Sequence, residues 1–123
     1  MDTSAWLSVQ RDDGETVGYL EPVDSNYDRV IARNVLGHQV HGPCEYHRGE
    51  QLLLERGIYE LMQSWVIDSG EHAGPRELSL LEVSRQEIIL GDALLTKALA
   101  ATERINVPWP DTHHILKAAP EAP

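Results

Sequence analysis

The chain is 123 residues long, with a single cysteine and a formal charge of −10 from ten basic and twenty acidic side chains. That length can bury a core without disulfides or a structural metal, and one cysteine excludes any internal disulfide framework. Lysine stands only at Lys97 and Lys117 and the arginines are scattered, so the acidic surface sets aside nucleic acid and anionic membrane as partners. No apolar run approaches the ~18 residues of a spanning helix, and the first residues have no basic-then-apolar signal. A cytoplasmic protein is expected.

The first unit is a hairpin in which WLSVQR and TVGYL flank DDG. A two-residue loop at Asp13-Gly14 would pair Val9 with Gly18 and Leu7 with Leu20. A three-residue loop, Asp12-Asp13-Gly14, pairs Val9 with Val17 and Leu7 with Tyr19, gathers the apolar groups on one face, and asks Gly14 for a left-handed backbone. The three-residue loop is the expected one. RVIARNVLGHQV follows as two short extended pieces, because Ala32-Arg33-Asn34 breaks the alternation. Gly42-Pro43 is expected to stop the second piece and Pro43 to open a helix.

That helix, the principal one, is expected over about 43–56. Glu45 complements the dipole in its first turn and Arg56 in its last, and Gly57 is expected as a left-handed cap, with Ile58 folding back onto Leu53 in a Schellman ending. Leu52 and Leu53, with Tyr46 and Gly49, form the face toward the sheet; Gly49 fits either a close approach or a solvent-facing position. YELMQSWVIDSG then runs into a strand ending near Asp68. ELSLLEVS and QEIIL read as an antiparallel pair turning around Ser84-Arg85-Gln86, with apolar groups on both faces. Asp92 is a candidate N-cap for a short helix or irregular turn near 92–100, and a strand is expected over about 102–107. KAAPEAP, with two prolines and no large apolar group, reads as a flexible tail over 117–123 after a single domain over 1–116.

The series "W…V…DG…VGYLEP", "VLGHQVHGPCEY", "GEQLLLERGIYELMQSWVI", "LSLLEVSRQEIIL" and "VPWP" resembles a family of small bacterial proteins of unknown function, mostly from high-GC Gram-positives. The resemblance runs from about residue 6 to residue 116. It implies a compact mixed fold without an established activity, and an extended segment before the proline-aromatic-proline element.

Two constellations bear on function. HQVHGPCEYH places His38, His41, Cys44 and His47 at steps of three, and Cys/His sets of four make closed zinc sites. The boundary expected at Gly42-Pro43 divides the series, which leaves His41, Cys44 and His47 around a helix start as candidate metal ligands or as a Cys-His pair. The structural alternative puts His41 near a turn, makes Cys44 a small buried apolar group and leaves His47 half exposed on the helix. His113-His114 read as a surface pair. The second constellation is aromatic: Trp6 and, within "VPWP", Trp109 either dock onto the chain's own core or, exposed together, form the centre of a contact surface.

No nucleotide-binding, metalloprotease or serine-hydrolase motif occurs, and no cofactor is expected. The fold class expected is α+β: five to seven short, mostly antiparallel strands in a curled sheet or small partly open barrel, with one principal helix. The function expected is that of a non-enzymatic interaction or accessory module for a protein partner or a second copy of itself. The alternative is a small metal-binding protein or Cys/His enzyme centred on His41, Cys44 and His47.

Overall fold

The computed structural model describes residues 2–120. The fold is α+β, built from two antiparallel sheets of four and five strands, neither closed into a barrel. In place of one curled sheet, the chain gathers into two compact units, 1–59 and 60–123.

The first unit is a meander followed by a helix. β1 (Leu7–Gln10), β2 (Thr16–Pro22), β3 (Arg29–Arg33) and β4 (Gln39–Glu45) lie side by side in chain order. The first turn is the three-residue loop: Arg11 N–H donates to Glu15 O at 2.9 Å, and Gly14 has φ +86°. The pairing beyond the turn corrects the expectation, however. Gln10 faces Thr16, but Val9 then faces Gly18, Ser8 faces Tyr19 and Leu7 faces Leu20. An extra residue at Val17 makes a bulge, which shifts the register by one while keeping the loop. Val17, Gly18, Tyr19 and Leu20 are all buried in succession, so β2 is covered on both faces and the one-sided rule used to choose the register fails there.

The second correction concerns Gly42-Pro43. The strand runs through both residues to Glu45, and the helix α1 (Tyr46–Arg56) begins at Tyr46 rather than Pro43. Two features make this possible. β4 is an edge strand, where a missing N–H leaves no neighbour unsatisfied, and Val30 faces Cys44 while Ala32 faces His41, so the chain spends an extra residue in this stretch as a bulge. Glu45 consequently stands at the N-cap, not within the first turn. At the other end Gly57 is the cap, donating its N–H to Leu53 O at 3.0 Å, but with φ +58° and ψ −131° it lies outside the left-handed helical region expected of it.

The core of this unit is Val9, Val17, Leu20, Val30, Ala32, Cys44 and Leu53, with Leu7, Val40 and Tyr46 packed against it. Gly49 is buried on the helix face: a Cβ there would lie 2.9 Å from Leu20 Cδ2 and 3.1 Å from Val30 Cγ2. Close approach is therefore the reason for the glycine. Between β3 and β4 the buried Asn34 holds the turn, its Oδ1 accepting from the N–H groups of Leu36 and His38 at 3.0 Å each.

The second unit opens with one helical turn, α2 (Tyr59–Met62), which straddles the division of the chain. It continues through β5 (Ser64–Ile67), β6 (Gly74–Val83), β7 (Glu87–Asp92), α3 (Ala93–Lys97), β8 (Ile105–Pro108) and β9 (Leu116–Ala118). The sheet order is β8-β7-β6-β5-β9. β6 and β7 turn around Ser84, whose N–H donates to Glu87 O at 3.0 Å, and β7 is buried from Ile88 to Gly91 because it is central. Asp92 caps α3, Oδ1 accepting from Leu95 N–H at 3.0 Å.

The expected tail needs correcting over its first residues. Lys117 and Ala118 belong to β9, which pairs with β5, and Ala119 N–H donates to Ser64 O at 2.9 Å. Leu116, the buried anchor of that strand, lies just ahead of the segment whose composition reads as a tail. The rest of the tail, 121–123, lies outside the described residues.

Candidate functional site

The ligand series does not assemble. Cys44 lies in the core, its Sγ 3.7 Å from Val30 O, whereas His41 and His47 are exposed. His41 bonds through Nδ1 to the neighbouring Gly42 O at 2.8 Å. His38 is buried in the β3–β4 turn, separate again. Among the described residues no three His, Cys, Asp or Glu side chains gather to hold a metal ion. The reason is the course of β4: with Gly42-Pro43 inside the strand, the bulge and the pleat send His41 outward and Cys44 inward. His113 and His114 are exposed.

The tryptophans are placed by packing. Trp6 is 3% exposed, with its ring centroid 6.3 Å from that of Tyr19 and the Arg33 guanidinium 4.9 Å from its centre. Trp109 is 7% exposed, its ring approached by Arg85 at 5.9 Å, and the Trp109–Pro110 peptide is cis. Neither offers an aromatic face to a partner, so of the two readings of the tryptophans, docking onto the chain's own core is the one the structure shows.

Exposed apolar side chains lie elsewhere: Val23 and Leu54 in the first unit, Tyr59 and Met62 on α2, and a group of three leucines at α3 and the turn after it. Leu94 is 77% and Leu99 95% exposed, with Leu95 beside them at 41%. Their backbone is tied down. Asp92 caps the helix and salt-bridges Arg76 at 2.9 Å, and Arg76 also pairs with Glu103. Ala98 N–H donates to Leu94 O at 3.0 Å, Leu99 N–H to Thr96 O at 3.1 Å and Ala100 N–H to Leu95 O at 2.8 Å. Leu99 itself has φ +57°, a left-handed conformation that a bulky side chain adopts at a cost of ~1–2 kcal/mol. Three leucines are thus presented to solvent on a hydrogen-bonded turn. Composition could not reveal this, because ALLTKALA reads equally well as a buried helix face. The only sequence signal was the Asp92 cap, which fixes where the turn begins.

Electrostatics around this turn follow from the same network. The Asp92 carboxyl is held below the usual carboxylate range, first by the Leu95 N–H and next by Arg76. The Arg76 guanidinium is correspondingly pushed up by Glu103 and Asp92.

Comparison with known proteins adds nothing to this geometry: no family model matches the chain, and neither a curated protein nor a solved structure is significantly similar to it. No helix among the described residues is long and apolar enough to cross a membrane.

Proposed function

We propose that the chain is a non-enzymatic interaction module that docks a protein partner through Leu94, Leu95 and Leu99. The observation that carries this reading is the set of exposed leucines on a turn fixed by the Asp92 cap and three backbone hydrogen bonds. An apolar group carried on backbone that is already ordered in the free protein loses less entropy on binding than one on a mobile segment. The partner presents an apolar groove bordered by basic side chains. The groove follows from the protruding leucines, and the basic border from the formal charge of −10, which steers cationic surfaces toward this chain.

The test is a photo-crosslinking residue at position 98 in an extract of the native host, followed by rebinding of the captured protein with purified components. The reading requires that the purified partner bind the wild-type chain with an affinity that falls as salt is added, and bind L94D/L99D at least about tenfold more weakly. Equal binding of the two chains, or adducts only between two copies of this chain, would overturn it.

A further inference from the structure

The first unit has an open hollow of about 400 Å³ lined by Tyr27, Asp28, Glu45, Tyr46 and His47. We propose that it binds a small quaternary ammonium compound.

Two carboxylates border the hollow, and among the described residues no cation pairs with either. Arg29, the nearest arginine in sequence to Asp28, is committed elsewhere: its Nη2 donates to Pro43 O at 2.8 Å. The carboxylates are held by different parts of the chain. Asp28 ends a loop closed by Asp24, whose Oδ1 accepts from the N–H groups of Asn26 and Asp28 at 3.1 and 3.2 Å. Glu45 is the last residue of β4 and faces Arg29 across the ladder. The backbone of each is thus held in place, and among the described residues neither carboxylate forms an ion pair, with Arg29, beside Asp28 in sequence and opposite Glu45 in the ladder, turned to the Pro43 carbonyl.

Lining chemistry then selects the class of cation. A bare divalent ion takes six or more oxygen ligands, and among the described residues no three acidic, His or Cys side chains converge. Two tyrosines and a histidine make up the rest of the wall, with the Tyr46 and His47 rings edge to face at 6.0 Å. Aromatic walls beside carboxylates suit a weakly hydrated organic cation, which is attracted by ring faces and loses little solvation on contact. The volume lies within the range of small-molecule sites, while the open mouth leaves water in place. Binding in the millimolar range follows.

The experiment is a titration of the full chain, followed by backbone amide NMR shifts, with choline, with its neutral isostere 3,3-dimethylbutan-1-ol, and with sodium or magnesium chloride at matched ionic strength. Choline is expected to shift Tyr27, Asp28, Tyr46 and His47 saturably by about 10 mM, with the isostere and the salts leaving them unmoved. D28N and E45Q change exposed side chains without touching the core, and each is expected to weaken choline about two- to fivefold. Y46F, which keeps the ring where it packs on the core, retains binding. Equal shifts from the isostere, equal shifts from magnesium, no choline shift by about 10 mM, or unaltered affinity in D28N and E45Q would each overturn the proposal.

Discussion

Gly49 on α1 lies so close to Leu20 on β2 that a methyl group at position 49 would stand 2.9 Å from Leu20 Cδ2. The helix is seated on its sheet by the absence of a side chain. G49A should therefore destabilise the protein although alanine is the better helix former. Overpacking a core costs about 1–3 kcal/mol, and the propensity gain returns at most ~1 kcal/mol. A net loss of about 1–2 kcal/mol, read as a lower urea midpoint at unchanged slope, is the expected result. A midpoint equal to or above wild type would show that the helix can lift without penalty.

Asp111 is buried, and its two carboxylate oxygens accept from the N–H groups of Ile115 and Leu116 at 3.0 Å each. D111A leaves both donors without this acceptor just where β9 begins, and a loss of about 2–3 kcal/mol is expected. Hydrogen exchange should accelerate most at Val66 and Asp68, the neighbours of this segment on β5 and after it. If exchange there stayed at the wild-type rate, the role given to Asp111 would be wrong.

Acid should act through Asp92. Its carboxyl ionises below the ordinary value of 3.8 in the folded chain, so protons bind the unfolded chain first as pH falls. The stability owed to the charged cap is thus complete above 3.8 and is lost as pH drops through the lower folded value. The difference in urea midpoint between wild type and D92A should be constant from about pH 7 to pH 5 and shrink by about pH 2.5. Asp13, also depressed by the Glu15 N–H and by Arg11, is present in both proteins and cancels from the comparison. A difference that stays constant to the lowest pH would remove the linkage.

Leu99 combines near-complete exposure with φ +57°, so its side chain does nothing for the fold that asparagine could not do better. L99N should raise stability by about 0.5–1 kcal/mol, since asparagine tolerates the left-handed region. In the same variant, docking through the leucine turn should weaken. Thermal denaturation and partner binding measured on one preparation separate the two effects, and a variant that loses stability would show that the leucine makes contacts of its own.

What could be read from the sequence was what depends on a few adjacent residues. Gly57 as a cap, Asp92 as an N-cap, the Asp12-Asp13-Gly14 loop and the Ser84 turn are each set by local backbone chemistry, and each is present. What escaped depends on partners distant in sequence. The Val17 bulge follows from β2 being covered on both faces, and β4 crosses Gly42-Pro43 because it is an edge. A segment pairs as β9 because β5 has a side to fill. The same distinction explains the sites. His41, Cys44 and His47 looked like a set because they are evenly spaced, but spacing becomes geometry only once the element is known. The hollow joins a loop residue, Tyr27, to Tyr46 across eighteen intervening positions, and no motif marks it.

Pro43 acts on a larger scale than the ligand series it interrupts. β4 forms the outer edge of its sheet, and such an edge is a template on which other chains can add strands. At Pro43 the ladder has no N–H to offer, its carbonyl is engaged by Arg29 at 2.8 Å, and the bulge turns the backbone out of register with any flat strand laid beside it. The dipeptide that looked like a stop signal for the strand instead lies within it, and it breaks the row of backbone donors on which another strand would have to pair.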